Sequence, residues 1–312
     1  MNKRKNGNLK GSALLLTAAF IWGTAFVAQS KGMDYLGPFS FNAVRNLIAG
    51  TVLILIIFLM KLFNKNIKDF SCKQKYDKSD LIIGGLLCGF ILFFSSSFQQ
   101  VGLKYTTVGK AGFITTLYII IIPIMGIFIK KRLPAFKIWI SLFLAIVGMY
   151  MLCMTESFRL SKGDFFMLIC AFFNAAHIIT IDHFSCRVEA VKMSCIQFFV
   201  CGLISLIPTF ILETPTIANI HKSIWPLLYT AVLSSGVAYT LQIVGQKYTN
   251  PVLASLVMSL ESVFSALAGW VVLKQVMSTR ETMGCILVFA AVILAQIPIL
   301  NLKKTISKQK II

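Results

Sequence analysis

Long apolar runs separated by short polar connections dominate this chain. Ten windows, at roughly 11–30, 40–62, 81–103, 108–129, 136–153, 163–181, 192–212, 224–246, 251–273 and 281–300, stand out. Each is long enough to cross ~30 Å of hydrocarbon at ~1.5 Å per residue, with 136–153 the shortest. None shows the alternation of a lipid-facing strand. Backbone amides away from water must be bonded within their own segment, so the pattern predicts ten transmembrane helices in an all-α polytopic membrane protein.

Composition agrees with that reading. Hydrophobic residues make up 57% of the 312 before the 20 glycines are added, already above the ~45–50% that soluble domains reach with glycine included. Charged residues are 13%, about half the usual share of ~25%. Soluble-enzyme classes are thereby nearly excluded. The eight cysteines are scattered singly with no CxxC pair, so neither a zinc site nor a disulfide framework is expected. Lys3, Arg4 and Lys5 precede an apolar run, as in a signal peptide. That run is bulky and lacks a small-x-small cleavage site, so a retained first helix is expected.

The formal charge of +19 would suggest nucleic acid in a soluble protein. Its placement says otherwise. With the N-terminus taken as cytoplasmic, 21 Lys and Arg fall on that side, concentrated in the N-terminal tail, 61–78, 130–137 and the C-terminal tail. Only 8 fall opposite: Lys31, Lys104, Lys110, Arg159, Lys162, Lys222, Lys274 and Arg280. This is the positive-inside pattern, and it predicts cytoplasmic termini. The surplus charge faces anionic lipid rather than nucleic acid, and the basic 61–78 connection reads as a topology anchor.

The chain also repeats itself. Residues 99–106 read QQVGLKYT and residues 242–249 read QIVGQKYT, six of eight identical at an offset of 143. The register continues through Ala111/Ala254, Leu117/Leu260, Gly126/Gly269 and Lys131/Lys274. A weaker echo pairs Lys10-Gly11 with Lys162-Gly163. Two copies of five spans follow, residues 1–155 and 156–312. Five is odd, so the copies have opposite topology, and inverted repeats supply the two alternative packings of alternating access.

With AAFIWGTAFVAQ (residues 18–29), GLKYTTVGKAGFITTLY (residues 102–118) and NPVLASLVMSLESVFSALAGWVVLKQ (residues 250–275), the chain resembles the drug/metabolite transporter superfamily, specifically its ten-helix bacterial EamA-domain permeases. The resemblance covers essentially the whole length. It implies a cytoplasmic-membrane carrier with two inverted halves around a central cavity, moving amino acids, other small metabolites or toxic compounds, with export the commoner role.

Polar residues inside the spans are the candidates for chemistry. Arg45 lies near the outer end of the second span, on a face with Asn42 and Asn46. Arginine cannot shed its charge, so it either snorkels to the headgroups or lines an outer vestibule that attracts carboxylates. Glu261 lies near the middle of the ninth span, where a carboxylate must be paired, hydrated or protonated. It is read as a proton-coupling group, a holder of a substrate ammonium, or a structural carboxylate; the related sequences place a packing motif there, with proline where this chain has Ser262. Tyr118 matches Glu261 in the repeat, with Thr115 a turn earlier. Ser235, Tyr239, Gln242 and Gln246 form an inward stripe on the eighth span. Asn174 and His177 share a face of the sixth, and Trp22 sits too deep for an interfacial belt residue. Trp22, Tyr118, Asn174, His177, Tyr239 and Gln242 are the expected cavity lining. The fifth and tenth spans, poor in polar residues, are expected to be peripheral or to face a second copy in a homodimer. Pro123 and Pro208 are candidate kinks.

No nucleotide, dinucleotide, zinc-protease or hydrolase motif occurs. No enzyme activity, metal or cofactor is expected, and transport would draw on a proton or substrate gradient. The reading is a secondary transporter of small polar metabolites, with a multidrug or lipophilic-cation exporter and a non-transporting scaffold or sensor as its rivals.

Overall fold

The computed structural model describes residues 2–63, 77–106, 108–130, 134–153, 161–273 and 278–297. The basic 64–76 stretch, the join at 154–160 and the tail beyond 297 lie outside the described residues. The 155/156 boundary, Arg159, Lys274 and several of the lysines counted above lie there too.

The described residues form helices and no sheet. In order they are α1 (Asn2–Gly32), α2 (Pro38–Leu62), α3 (Lys78–Leu103), α4 (Val108–Thr116), α5 (Tyr118–Lys130), α6 (Phe136–Cys153), α7 (Lys162–Phe184), α8 (Ala190–Leu212), α9 (Ile217–Lys222) and α10 (Ile224–Leu228). A π-helical stretch (Tyr229–Tyr239), α11 (Thr240–Gln246), α12 (Pro251–Met258), α13 (Glu261–Leu273) and α14 (Thr279–Gln296) complete the chain. Among the described residues nine helical segments are long and apolar enough to span a bilayer, and Phe136–Met151 is a shorter apolar helix. The protein is a multi-pass helical membrane protein.

Local chemistry sets the helix starts. Ser161 with Asp164 and Ser278 with Glu281 form capping boxes, and Asn250 caps α12 ahead of Pro251. The cap of α2 comes from elsewhere: Glu213, just past α8, accepts from Phe39 N (3.0 Å), Ser40 N (2.8 Å) and Ser40 Oγ. Small residues let the long helices approach. Gly50 and Gly202 meet Phe199 and Leu47 where α2 crosses α8, and Gly148 meets the Gly284 carbonyl where α6 crosses α14.

Three expected spans are not continuous α-helices. The fourth breaks between Thr116 and Tyr118, and the ninth between Met258 and Glu261. Hydroxyl back-bonds gather at both. Thr115 and Thr116 bond back to the carbonyls of residues 111–113, and Ser255, Ser259 and Ser262 do the same around the second break. Such back-bonding competes with the helical ladder and bends it. Pro123 and Pro208 instead lie inside α5 and α8. The eighth span changes register through the π-helical stretch.

Buried apolar residues among the described ones gather in four cores. One joins residues of α4, α5 and α6 to those of α12, α13 and α14; others join α2 and α3 to α8 and its neighbours.

Candidate functional site

Between these cores lies a narrow cavity of about 50 Å³, well below the ~300–1,000 Å³ usual for small-molecule sites, so a solute would have to widen it. Trp22, Arg45, Tyr118, Asn174, His177, Tyr239, Gln242 and Glu261 all line it, so residues read separately along six spans meet in one place.

Each is held by an identifiable contact. Gly23 brings α1 against α13; a Cβ there would stand 2.7 Å from the Glu261 carbonyl. Its neighbour Trp22 donates from Nε1 to the Ser234 carbonyl (3.1 Å) and meets Tyr239 edge to face, with centroids 4.8 Å apart. Tyr118 and Glu261 each open the second segment of a broken span, and the Tyr118 hydroxyl stands 3.5 Å from Glu261 Oε1. Asn174 Oδ1 accepts from Ser95 Oγ (2.6 Å). His177 Nε2 lies 3.2 Å from Gln197 Oε1, with its ring edge-on to Tyr239. The imidazole is therefore both a satisfied packing group and part of the wall.

Arg45 is 5% exposed and donates from Nη1 to Gln29 Oε1 (3.0 Å), with its guanidinium 5.8 Å over the Phe41 ring. Asn46 is 1% exposed; its amide donates to the Asn42 carbonyl and to Cys201 Sγ, joining α2 to α8, and it does not line the cavity. The described ion pairs, Arg187–Asp80 and Lys192–Glu189, involve neither Arg45 nor Glu261. The cavity thus carries one cation and one carboxylate, each without an ionic partner among the described residues.

Sequence reasoning passed over Gln29, Gln99 and Ser234, all in the lining. Gln29 is the lone amide side chain in the first apolar window, a signal that was available. Ser234 was not readable from α-helical spacing, which puts Ser235 on the Tyr239 face. In a π-helix the repeat is i to i+5, which brings Ser234 under Tyr239 instead. Ser235 is buried outside the lining, and Gln246 donates to the Ile178 carbonyl (3.0 Å). No grouping of three or more His, Cys, Asp or Glu suited to a metal occurs among the described residues.

The chain matches the EamA-like transporter family twice, at residues 9–154 and 161–296. It is 32% identical to an uncharacterized transporter of Archaeoglobus fulgidus over 91% of this chain and 84% of that protein. It is 20% identical to the uncharacterized transporter YoaV of Bacillus subtilis, over 88% and 92%. A solved crystal structure shares the fold at a TM-score of 0.74 and 17% identity, covering 91% of this chain and 96% of that one.

Proposed function

The chain belongs to the EamA-like transporter family, and from that premise we propose that it is a secondary active carrier exporting small polar metabolites, amino acids or related compounds, by alternating access. One observation carries this reading. The cavity takes its walls from both family matches and holds a cation and a carboxylate, each without an ionic partner among the described residues, amid aromatic and amide side chains. That lining suits an amphipathic solute with a charged head. Trp22, Tyr118 and Tyr239 offer ring faces; Asn174, His177 and Gln242 offer hydrogen bonds; Arg45 draws a carboxylate, with Asn46 fixing α2 behind it.

The proposed architecture is ten spans in two inverted five-helix copies, residues 1–155 and 156–312, with both termini cytoplasmic. Supporting it are the tandem family match, the tenth apolar helix Phe136–Met151, and two helix breaks whose residues Leu117 and Leu260 share the repeat register. Discontinuous helices near the midplane are a recurrent carrier device. Glu261, touching Tyr118, is proposed as the proton-coupling carboxylate. α6 and α14 pack on each other and leave Phe143, Ile286 and Ile293 exposed, a face for lipid or for a second copy.

Melting of the purified protein across a metabolite library tests the substrate class, because a ligand that binds only the native state raises its apparent stability. Amino acids are expected among the stabilising compounds. Stabilisation by lipophilic cations alone would favour the cation-exporter reading, to which the Glu261 carboxylate also lends itself. In proteoliposomes, Glu261→Gln is expected to abolish pH-driven uptake while counterflow persists. Unchanged pH-driven uptake would leave Glu261 a structural carboxylate.

A further inference from the structure

The manner in which Arg45 is held deepens the proposed function and rests on it. Arginine is donor-only, so the Gln29 group facing it is its carbonyl oxygen. That oxygen accepts twice, from Arg45 Nη1 at 3.0 Å and from Gln100 Nε2 at 2.6 Å. It ties α1 to α2 and α3, and both acceptor positions of Gln29 are used. A buried arginine is ordinarily matched by a carboxylate. Here the group in that place is a neutral amide, which orients the guanidinium without cancelling its charge. Arg45 Nε and both amide atoms of Asn42, one turn earlier on α2, are buried without hydrogen-bond partners. Polar capacity therefore remains unspent beside a full positive charge.

We propose that Gln29 is a specificity-determining positioning residue: its neutral oxygen fixes Arg45 while leaving the charge uncompensated, so that the cavity selects solutes with a carboxylate head over their neutral analogues. An acid at position 29 would occupy the guanidinium as an internal carboxylate and compete with the solute. An apolar side chain of similar length would free the guanidinium to move but keep its charge. The two substitutions therefore separate charge compensation from positioning.

The test measures stabilisation and counterflow competition by a set of amino acids and their matching amides on the full chain in its wild-type form, Gln29→Glu, Gln29→Met and Arg45→Gln. Wild type is expected to prefer the carboxylate member of each pair. Gln29→Glu is expected to lower carboxylate affinity about tenfold or more, as loss of access to a buried charge should, with amide affinity unchanged within about twofold. Arg45→Gln should remove the preference altogether. Gln29→Met should give a smaller carboxylate-selective loss, and it replaces the glutamate variant should that one fail to fold. Equal effects of the Gln29 substitutions on both members, or none on either, overturn the role of Gln29. Failure of every carboxylate and amide to bind wild type overturns instead the amino-acid reading on which it rests.

Discussion

Gly11 against Gly245 and Gly163 against Gly102 make the same contact at opposite ends of the bundle, with different fastenings. A Cβ on Gly11 would stand 2.8 Å from the Gly245 carbonyl, and one on Gly163 would stand 2.9 Å from the Gly102 carbonyl. Each pair joins the opening turns of one family match, at its Lys-Gly step, to the VGxKYT stretch of the other. Beside Gly163, Thr106 Oγ1 donates to Asp164 Oδ1 at 2.9 Å, and Asp164 is fully buried within its capping box. Beside Gly11, Lys10 Nζ meets the Tyr248 hydroxyl at an exposed 3.4 Å and lies 5.2 Å over its ring. A buried, charge-assisted bond resists separation far better than an exposed contact. The backbone approach is shared; the contact beside it is buried and charge-assisted at one end and exposed at the other.

The largest effect expected from breaking this comparison comes from removing the approach itself. Gly102→Val and Gly245→Val each put branched side chains against a packed side chain, Met167 or Leu15, and the facing glycine carbonyl at 3.1 Å, and overpacking of this kind costs ~1–3 kcal/mol. Transport should fall by about tenfold or more in both, read as initial counterflow rate. Single-cysteine labelling from the two sides should shift in opposite directions for the two variants. Identical labelling patterns would show that the ends are not alternatives. Thr106→Val is expected to cost ~1–3 kcal/mol by stripping a hydrogen bond from a buried carboxylate, measured as lowered melting of the solubilised protein. Lys10→Met, at the exposed latch, should cost under ~1 kcal/mol. An equal or larger loss for Lys10→Met would reverse the ranking of the two ends.

Much of this was legible along the chain. Apolar length gave the spans, and the QQVGLKYT/QIVGQKYT identity located two glycines whose contacts turn out equivalent. Polar residues in apolar runs pointed to the cavity because burying them elsewhere is costly. The irregular backbone was not legible. Thr and Ser are ordinary in membrane helices, and their back-bonds accompany the breaks around Leu117 and Leu260 as well as unbroken stretches such as α8. The π-helical stretch has no composition signal, and α-helical spacing puts Ser235 where Ser234 lies. Nor does sequence separation disclose that Gln29 would meet Arg45 and Gln100. The division of the chain into two family matches also differs from the division of its packing, since the largest core joins α4–α6 of the first match to α12–α14 of the second.

The glutamate that caps α2 gives this interlocking a timetable. Glu213 follows Ser40 by 173 residues, which a ribosome adding ~5–20 residues per second needs roughly 10–35 s to reach. Through that interval the first amides of α2 are without their carboxylate, and the face that α8 will cover is without α8. The emergence of α8 and Glu213 therefore schedules the final seating of α2. The early helices are inserted first, yet they finish folding only when the last of their partners emerges.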